Sequence, residues 1–160
     1  RYGLTGQALA WAGFATALLA LAVIDARTTL LPDALTQPLT WAGLLAAALG
    51  LSDVTLPDAL WGAVGGYMFL WSVYWLFRLV TGLEGMGRGD FKLLAALGAW
   101  FGWQALISLV MIASLSGLVI GLWLKWRQSL PAGGYIPFGP FLAFAGLWVM
   151  VWGPLPGLQL

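Results

Sequence analysis

Residues 59–80 of the chain read ALWGAVGGYMFLWSVYWLFRLV, and they form its longest apolar segment. Its only charged residue is Arg78, close to the C-terminal end. An α-helix needs about 20 predominantly apolar residues to cross the roughly 30 Å of hydrocarbon in a bilayer, and this stretch is long enough. The stretch therefore predicts a helix that spans a membrane.

Further apolar segments lie on both sides of this stretch. Because a bilayer offers no water to unpaired backbone groups, we expect every one of them to be a helix. The sequence thus predicts an all-α fold, a polytopic transmembrane bundle of about six helices in one domain over residues 1–160. In chain order the six segments cover about 8–24, 38–51, 59–80, 91–103, 105–123 and 136–152. The second and fourth of these are shorter than a full span.

The composition supports a bilayer environment and excludes several kinds of chemistry. Hydrophobic residues make up 61% of the 160 residues and charged residues 8%, whereas soluble domains carry about 25% charged residues. The net charge of +1 gives no basic patch for a nucleic-acid partner. Because the chain has no cysteine and no histidine, Ser-His and Cys-His nucleophiles and the usual zinc sites are excluded. Acid-base chemistry therefore depends first on its carboxylates.

The positive charges predict an orientation. The loops after the first, third and fifth segments contain Arg27, Arg88 and Arg127. The loops on the opposite side, at 52–58 and around Gln104, contain no lysine or arginine. The positive-inside rule therefore places the three basic loops in the cytoplasm and both chain ends on the other side.

Two carboxylates fall at the predicted cytoplasmic edge of the membrane. Asp25 ends the first apolar segment and Asp90 begins the fourth. Asp90 could serve as a helix N-cap, but Asp25 lies at a helix C-terminus, where the helix dipole disfavours negative charge. Carboxylates beside hydrocarbon are costly and are kept mostly for function. If the two lie within about 3 Å they share one proton, and one then acts as a base and the other as an acid.

The other carboxylates have simpler interpretations. Asp58 directly precedes an apolar helix and is predicted to be its N-cap. Glu84 lies in a glycine-rich loop and is predicted to be solvated. The same loop contains Gly87 and Gly89 just before Asp90. Glycine lets an extended substrate backbone approach closely, although a flexible connector would use the same residues.

Glycines also recur inside the predicted helices, at Gly62, Gly65 and Gly66 and again at Gly117 and Gly121. Small residues at this spacing let two helices approach closely. Such pairs form either a contact between two copies of a protein or packing inside one bundle. We favour packing inside one bundle for these glycines.

The residues around the two aspartates resemble the bacterial type IV prepilin peptidases, or leader peptidases, which are G-x-G-D intramembrane aspartic peptidases. Residues 25–33, DARTTLLPD, followed by LT at 35–36 and PLTW at 38–41, resemble the first aspartate motif of the family. Residues 84–100, EGMGRGDFKLLAALGAW, resemble its second, and IPFGP at 136–140 resembles a third shared stretch. The resemblance covers nearly the whole chain, in the same order.

The resemblance implies that Asp25 and Asp90 are the catalytic pair. Gly87 and Gly89 become the motif glycines that support the substrate or the site, and Asp33 becomes a non-catalytic residue that orders the loop or caps the second helix. The implied function is an endopeptidase that cuts the basic leader from type IV prepilins or pseudopilins. The implied location is the bacterial inner membrane, with the active site facing the cytoplasm and no cofactor required for hydrolysis.

Full-length members of the family also have a further helix and a cytoplasmic domain whose two cysteine pairs hold zinc, and they methylate the new N-terminus with S-adenosylmethionine. Because this chain has no cysteine and begins with Arg1, we expect a fragment that lacks this domain. Zinc and S-adenosylmethionine are thus implied only for the full-length family. We expect the chain alone to cleave weakly or not at all and to transfer no methyl group.

Two other functions remain open. A proton-coupled membrane transporter or assembly subunit would use Asp25 and Asp90 as proton carriers at the membrane edge. A non-catalytic membrane scaffold would need neither carboxylate. Cleavage of a prepilin distinguishes the peptidase from both of these, because neither a transporter nor a scaffold hydrolyses a peptide bond.

Overall fold

A computed structural model of the chain describes residues 6–28, 33–82, 89–128 and 138–157. Within these ranges it contains six α-helices, a short 3-10 turn at Trp103–Ala105 and no strand, which confirms the predicted all-α bundle. The helices are α1 (Gly6–Thr28), α2 (Asp33–Ala48), α3 (Leu56–Thr81), α4 (Gly89–Phe101), α5 (Leu106–Trp126) and α6 (Gly139–Trp152).

Three helical segments are long and apolar enough to cross a membrane. They are α1, α3 and Trp103–Trp126, which joins the 3-10 turn to α5, while α6 is a shorter apolar helix. Large apolar side chains remain exposed on α3 and α5, where Trp61 and Val119 are each 64% exposed. Apolar surface of this extent is expected to face lipid rather than water.

Helix α4 lies in the interior and is surrounded by the other helices. Almost all of its side chains from Asp90 to Trp100 are buried, and it packs against α2, α3 and α6. With 13 residues it is too short to cross a bilayer alone. Its neighbours rather than lipid cover it, so a short helix is sufficient here and carries Asp90 into the interior.

Glycines allow α3 and α4 to touch along their backbones. A Cβ atom at Gly62 would collide with the carbonyl oxygen of Gly98, and one at Gly66 would lie 2.7 Å from the carbonyl oxygen of Leu94. Gly117 similarly faces an aromatic ring of α6. The predicted packing inside one bundle is confirmed for these glycines, since each lies against another helix of the same chain.

The predicted N-cap at Asp58 is wrong by three residues. Thr55 is the N-cap of α3, and its hydroxyl oxygen accepts a hydrogen bond of 3.3 Å from the Asp58 backbone N–H. The cap comes earlier because Pro57 lies in the first turn, where its fixed φ and missing N–H are tolerated. The Asp58 carboxylate instead accepts a hydrogen bond of 3.1 Å from Trp103 Nε1.

Helix α2 begins earlier than predicted, at Asp33 rather than near Pro38, and Pro38 lies inside it. Polar residues and a proline interrupt the first six residues of α2, DALTQP, so hydrophobicity alone marks its start too late. A proline inside a helix removes one backbone hydrogen bond, which the packing of α2 against α4 has to offset. The predicted 91–103 helix is likewise shifted by two residues, to Gly89–Phe101.

Candidate active site

Asp25 lies at the end of the buried face of α1. The inward residues of this helix repeat at intervals of three and four positions, as expected for one face of an α-helix. The last of them is an aspartate rather than an apolar residue, so α1 itself directs a carboxylate into the interior. The buried residues of α1 are Trp11, Phe14, Leu18, Leu21 and Asp25.

The fold brings Asp90 to Asp25 from another helix. Asp90 is the second residue of α4, and both aspartates are only 3% exposed. Asp25 is close enough to interact electrostatically with Asp90. Helices α2 and α6 each pack against both α1 and α4, and they hold the two aspartate-bearing helices in this arrangement.

Gly139 contacts Asp25 from a third helix. The backbone of Gly139 lies directly against the Asp25 carboxylate. Asp25 Oδ2 is buried and has no hydrogen-bond partner among the described residues. A Cβ atom at position 139 would collide with this carboxylate, so only glycine leaves room for it. IPFGP at 136–140 was recognised from the sequence as a shared stretch, but no role was predicted for Gly139. A glycine and a proline at the start of an apolar helix were the features from which a role could have been predicted.

Asp33 lies at the same end of the bundle as the aspartate pair and forms an ion pair with Lys92. It is the first residue of α2, and its Oδ1 lies 2.6 Å from Lys92 Nζ. The side chain of Lys92 is 33% exposed and that of Asp33 is 56% exposed, so water reaches both groups. The ion pair connects the N-terminal end of α2 to α4, two residues beyond Asp90.

The predicted loop residues can be compared with the structure only in part. Gly89 is the first residue of α4 and immediately precedes Asp90. Gly87 and Glu84 lie outside the described residues, as do the first two residues of IPFGP. The substrate role predicted for Gly87 and the solvated state predicted for Glu84 therefore stay predictions.

One large hollow of the bundle lies away from the aspartates. A cavity of about 750 Å³ lies between α3 and α5, with Trp61, Phe69 and Met111 among its lining residues, and neither aspartate lines it. Over the ranges that the structure describes, no group of three or more His, Cys, Asp or Glu side chains could hold a metal ion. Two carboxylates without cysteine or histidine do not form a zinc site of the usual Cys/His kind.

The arrangement is suited to acid-base chemistry. An ionised carboxylate is costly to bury without a partner, and two buried carboxylates that interact are best accommodated when they share a proton. A pair in this state offers one oxygen that takes a proton and one that gives a proton. The fold thus brings two buried carboxylates from two helices to one end of the bundle, where they interact.

The sequence has clear relatives. Residues 12–122 match the model of the type IV leader peptidase family. A prepilin leader peptidase/N-methyltransferase from Stutzerimonas stutzeri is 52% identical over 152 residues, which cover 95% of this chain and 52% of the relative. A protein of the same name from Aeromonas hydrophila is 54% identical over 136 residues, or 85% of this chain and 47% of the relative. The chain spans about half the length of these curated relatives, and no solved structure matches it.

Proposed function

This chain belongs to the type IV leader peptidase family, and on that basis we propose that it is an intramembrane aspartic endopeptidase that removes the leader peptide from type IV prepilins or pseudopilins. The observation that carries the proposal is the buried pair formed by Asp25 and Asp90. With neither histidine nor cysteine in the sequence, this pair is the strongest candidate for acid-base catalysis.

In the proposed mechanism the aspartates act on a water molecule and on the scissile peptide bond. The ionised carboxylate takes a proton from the water, and the water oxygen attacks the carbonyl carbon. The protonated carboxyl gives its proton to the carbonyl oxygen, which forms a tetrahedral intermediate. This intermediate collapses as the ionised carboxylate takes a proton from one of its two hydroxyl groups, the C–N bond breaks and the nitrogen takes a proton from the other carboxyl. The products are a carboxylic acid and an amine, and the pair again holds one proton.

The location of the pair supports a cut at the cytoplasmic face. The C-terminal end of α1 and the N-terminal ends of α2, α4 and α6 gather at the same end of the bundle, as the contacts of Asp25 with Asp90 and Gly139 and of Asp33 with Lys92 indicate. The last turn of α1, just before the loop at this end, contains the basic residue Arg27. Basic loops face the cytoplasm by the positive-inside rule.

The proposed function is tested by incubating a purified prepilin with the detergent-solubilised chain and identifying the products by mass spectrometry. The reaction is run with and without the part of the Stutzerimonas stutzeri relative that this chain does not match. We expect one cut that releases the leader. Asp25→Asn and Asp90→Asn should each lower the rate by about 100-fold or more, because each removes an acid-base group.

Asp53→Asn is the matched control for this assay. Asp53 precedes α3 at the opposite end of the bundle, where it accepts a hydrogen bond from Gln7, so its loss should leave the cleavage rate unchanged. Absence of cleavage by the unaltered chain in both settings would contradict the proposal. So would a rate close to normal in Asp25→Asn.

A further inference from the structure

The contact between Gly139 and Asp25 has no part in the mechanism above. Helix α6 begins at Gly139, with Pro140 in its first turn, and it points its N-terminal end at the Asp25 carboxylate. Unpaired N–H groups and the positive end of the helix dipole make this end of a helix favourable for a negative group. The carboxylate that it meets is 3% exposed and has one oxygen, Oδ2, without a hydrogen-bond partner among the described residues.

We propose that Gly139 is a positioning residue that fixes the Asp25 carboxylate against the N-terminus of α6, in the orientation required beside Asp90. This inference rests on the proposed function, because it assigns Asp25 a role in hydrolysis. The position requires glycine for a steric reason. A Cβ atom at residue 139 would overlap Asp25 Oδ2 and would lie within 2.8 Å of its Cγ and 3.2 Å of its Cβ.

The expected consequence of adding that Cβ atom is a displaced carboxylate. Asp25 lies in the last turn of α1, so the helix backbone limits how far it can retreat, and the side chain has to rotate away. A displacement of about 1 Å in a catalytic group costs roughly 100-fold in rate. Gly139→Ala should therefore lower kcat by about 100-fold and change KM little, because in this proposal the residue acts through Asp25.

Gly146 provides a matched control on the same helix. A Cβ atom at Gly146 would lie 2.7 Å from Leu97 Cδ2 and 2.9 Å from Leu18 Cδ1, so it also enters a tightly packed site. These neighbours are the ends of apolar side chains, and no aspartate is among them. Gly146→Ala should lower Tm while kcat per folded molecule stays at the unaltered value. If Gly139 has only a packing role, Gly139→Ala will behave in the same way, and the proposal is then overturned.

A double-mutant cycle tests the contact without any measurement of activity. Gly139→Ala should lower Tm in detergent by roughly 2–12 °C, as expected for overpacking in a protein of this size. In an Asp25→Ala background most of the overlapping atoms are gone, so the same substitution should lower Tm by much less. Gly146→Ala should lower Tm equally in both backgrounds.

Each outcome of the cycle counts for or against the proposal. An equal loss of Tm for Gly139→Ala in both backgrounds overturns it, and so does failure of Gly139→Ala to fold in both. Folding of Gly139→Ala only when Asp25 is alanine supports it. Tm is measured without substrate, so the cycle does not depend on activity. If the unaltered chain is inactive, the proposed function is contradicted, but the cycle still shows whether Gly139 holds Asp25.

Discussion

Three aspartates at one end of the bundle differ in their surroundings. Asp25 and Asp90 are buried and interact with each other, whereas Asp33 is about half exposed and forms an ion pair with Lys92. Burial of a carboxylate is costly, so the first two positions are expected to be maintained by function rather than by stability. The Asp33–Lys92 pair is in contact with water and is expected to contribute modestly to stability.

Replacement of Asp33 by asparagine tests this distinction. Because exposed ion pairs are worth about 0.2–1 kcal/mol, Asp33→Asn should cost at most about 1 kcal/mol of unfolding free energy and should leave cleavage close to normal. Thermal unfolding in detergent and the prepilin assay measure the two effects. Lys92→Gln should cost the same amount and add nothing to Asp33→Asn. A loss of cleavage equal to that of Asp25→Asn would place Asp33 among the catalytic residues.

At the level of helices, the position of Asp90 depends on the close approach of α3 to α4. Gly98 and Gly62 touch through their backbones, and a Cβ atom at Gly98 would collide with the carbonyl oxygen of Gly62. Backbone atoms cannot rotate away as a side chain can, so relief requires the two helices to separate. Such a separation would also move the N-terminal end of α4, where Asp90 lies.

Substitution of Gly98 by alanine should therefore be strongly destabilising. Overpacking costs about 1–3 kcal/mol, and a clash with backbone should lie near the upper end, at about 3 kcal/mol. Gly13→Ala is the control, since a Cβ atom at Gly13 meets nothing within 4 Å and alanine is the better helix former. Thermal unfolding should show a clear loss for Gly98→Ala and none for Gly13→Ala. Equal stability of the two variants would contradict the close packing of α3 and α4.

The helices could be predicted from sequence because their signals are local. Runs of apolar residues mark all six, and a spacing of three and four residues leads along α1 to Asp25. Helix ends that are polar or contain proline were harder to predict. The start of α2 was therefore placed too late, and the N-cap of α3 was assigned to Asp58 instead of Thr55. The contact of Gly139 with Asp25 could not be predicted, because it depends on how α6 packs against α1.

For the whole molecule, the bundle has two chemically different ends. One end contains Asp25, Asp90 and the ion pair between Asp33 and Lys92. The opposite end contains the hydrogen bond between Trp103 and Asp58, at the N-terminal end of α3. Membrane insertion with the first end in the cytoplasm would place the aspartate pair beside the cytoplasmic surface.

Single cysteines test this orientation in a chain that has no cysteine of its own. Thr28 ends α1 and Thr55 caps α3 at the other end of the bundle, and both are exposed. In intact cells a membrane-impermeant thiol reagent should label Thr55→Cys and should label Thr28→Cys only after the membrane is opened. Labelling of Thr28→Cys from outside would reverse the proposed topology and place the aspartate pair at the outer surface.

The proposal that Asp25 and Asp90 work as one acid-base unit is tested most directly by the cleavage rates of Asp25→Asn, Asp90→Asn and the double variant. Residues that act as a unit have non-additive effects, because loss of either member removes the function of both. All three variants should therefore fall to the same residual rate. A double variant whose loss equals the product of the two single losses would mean that the aspartates act independently, and would contradict the catalytic pair.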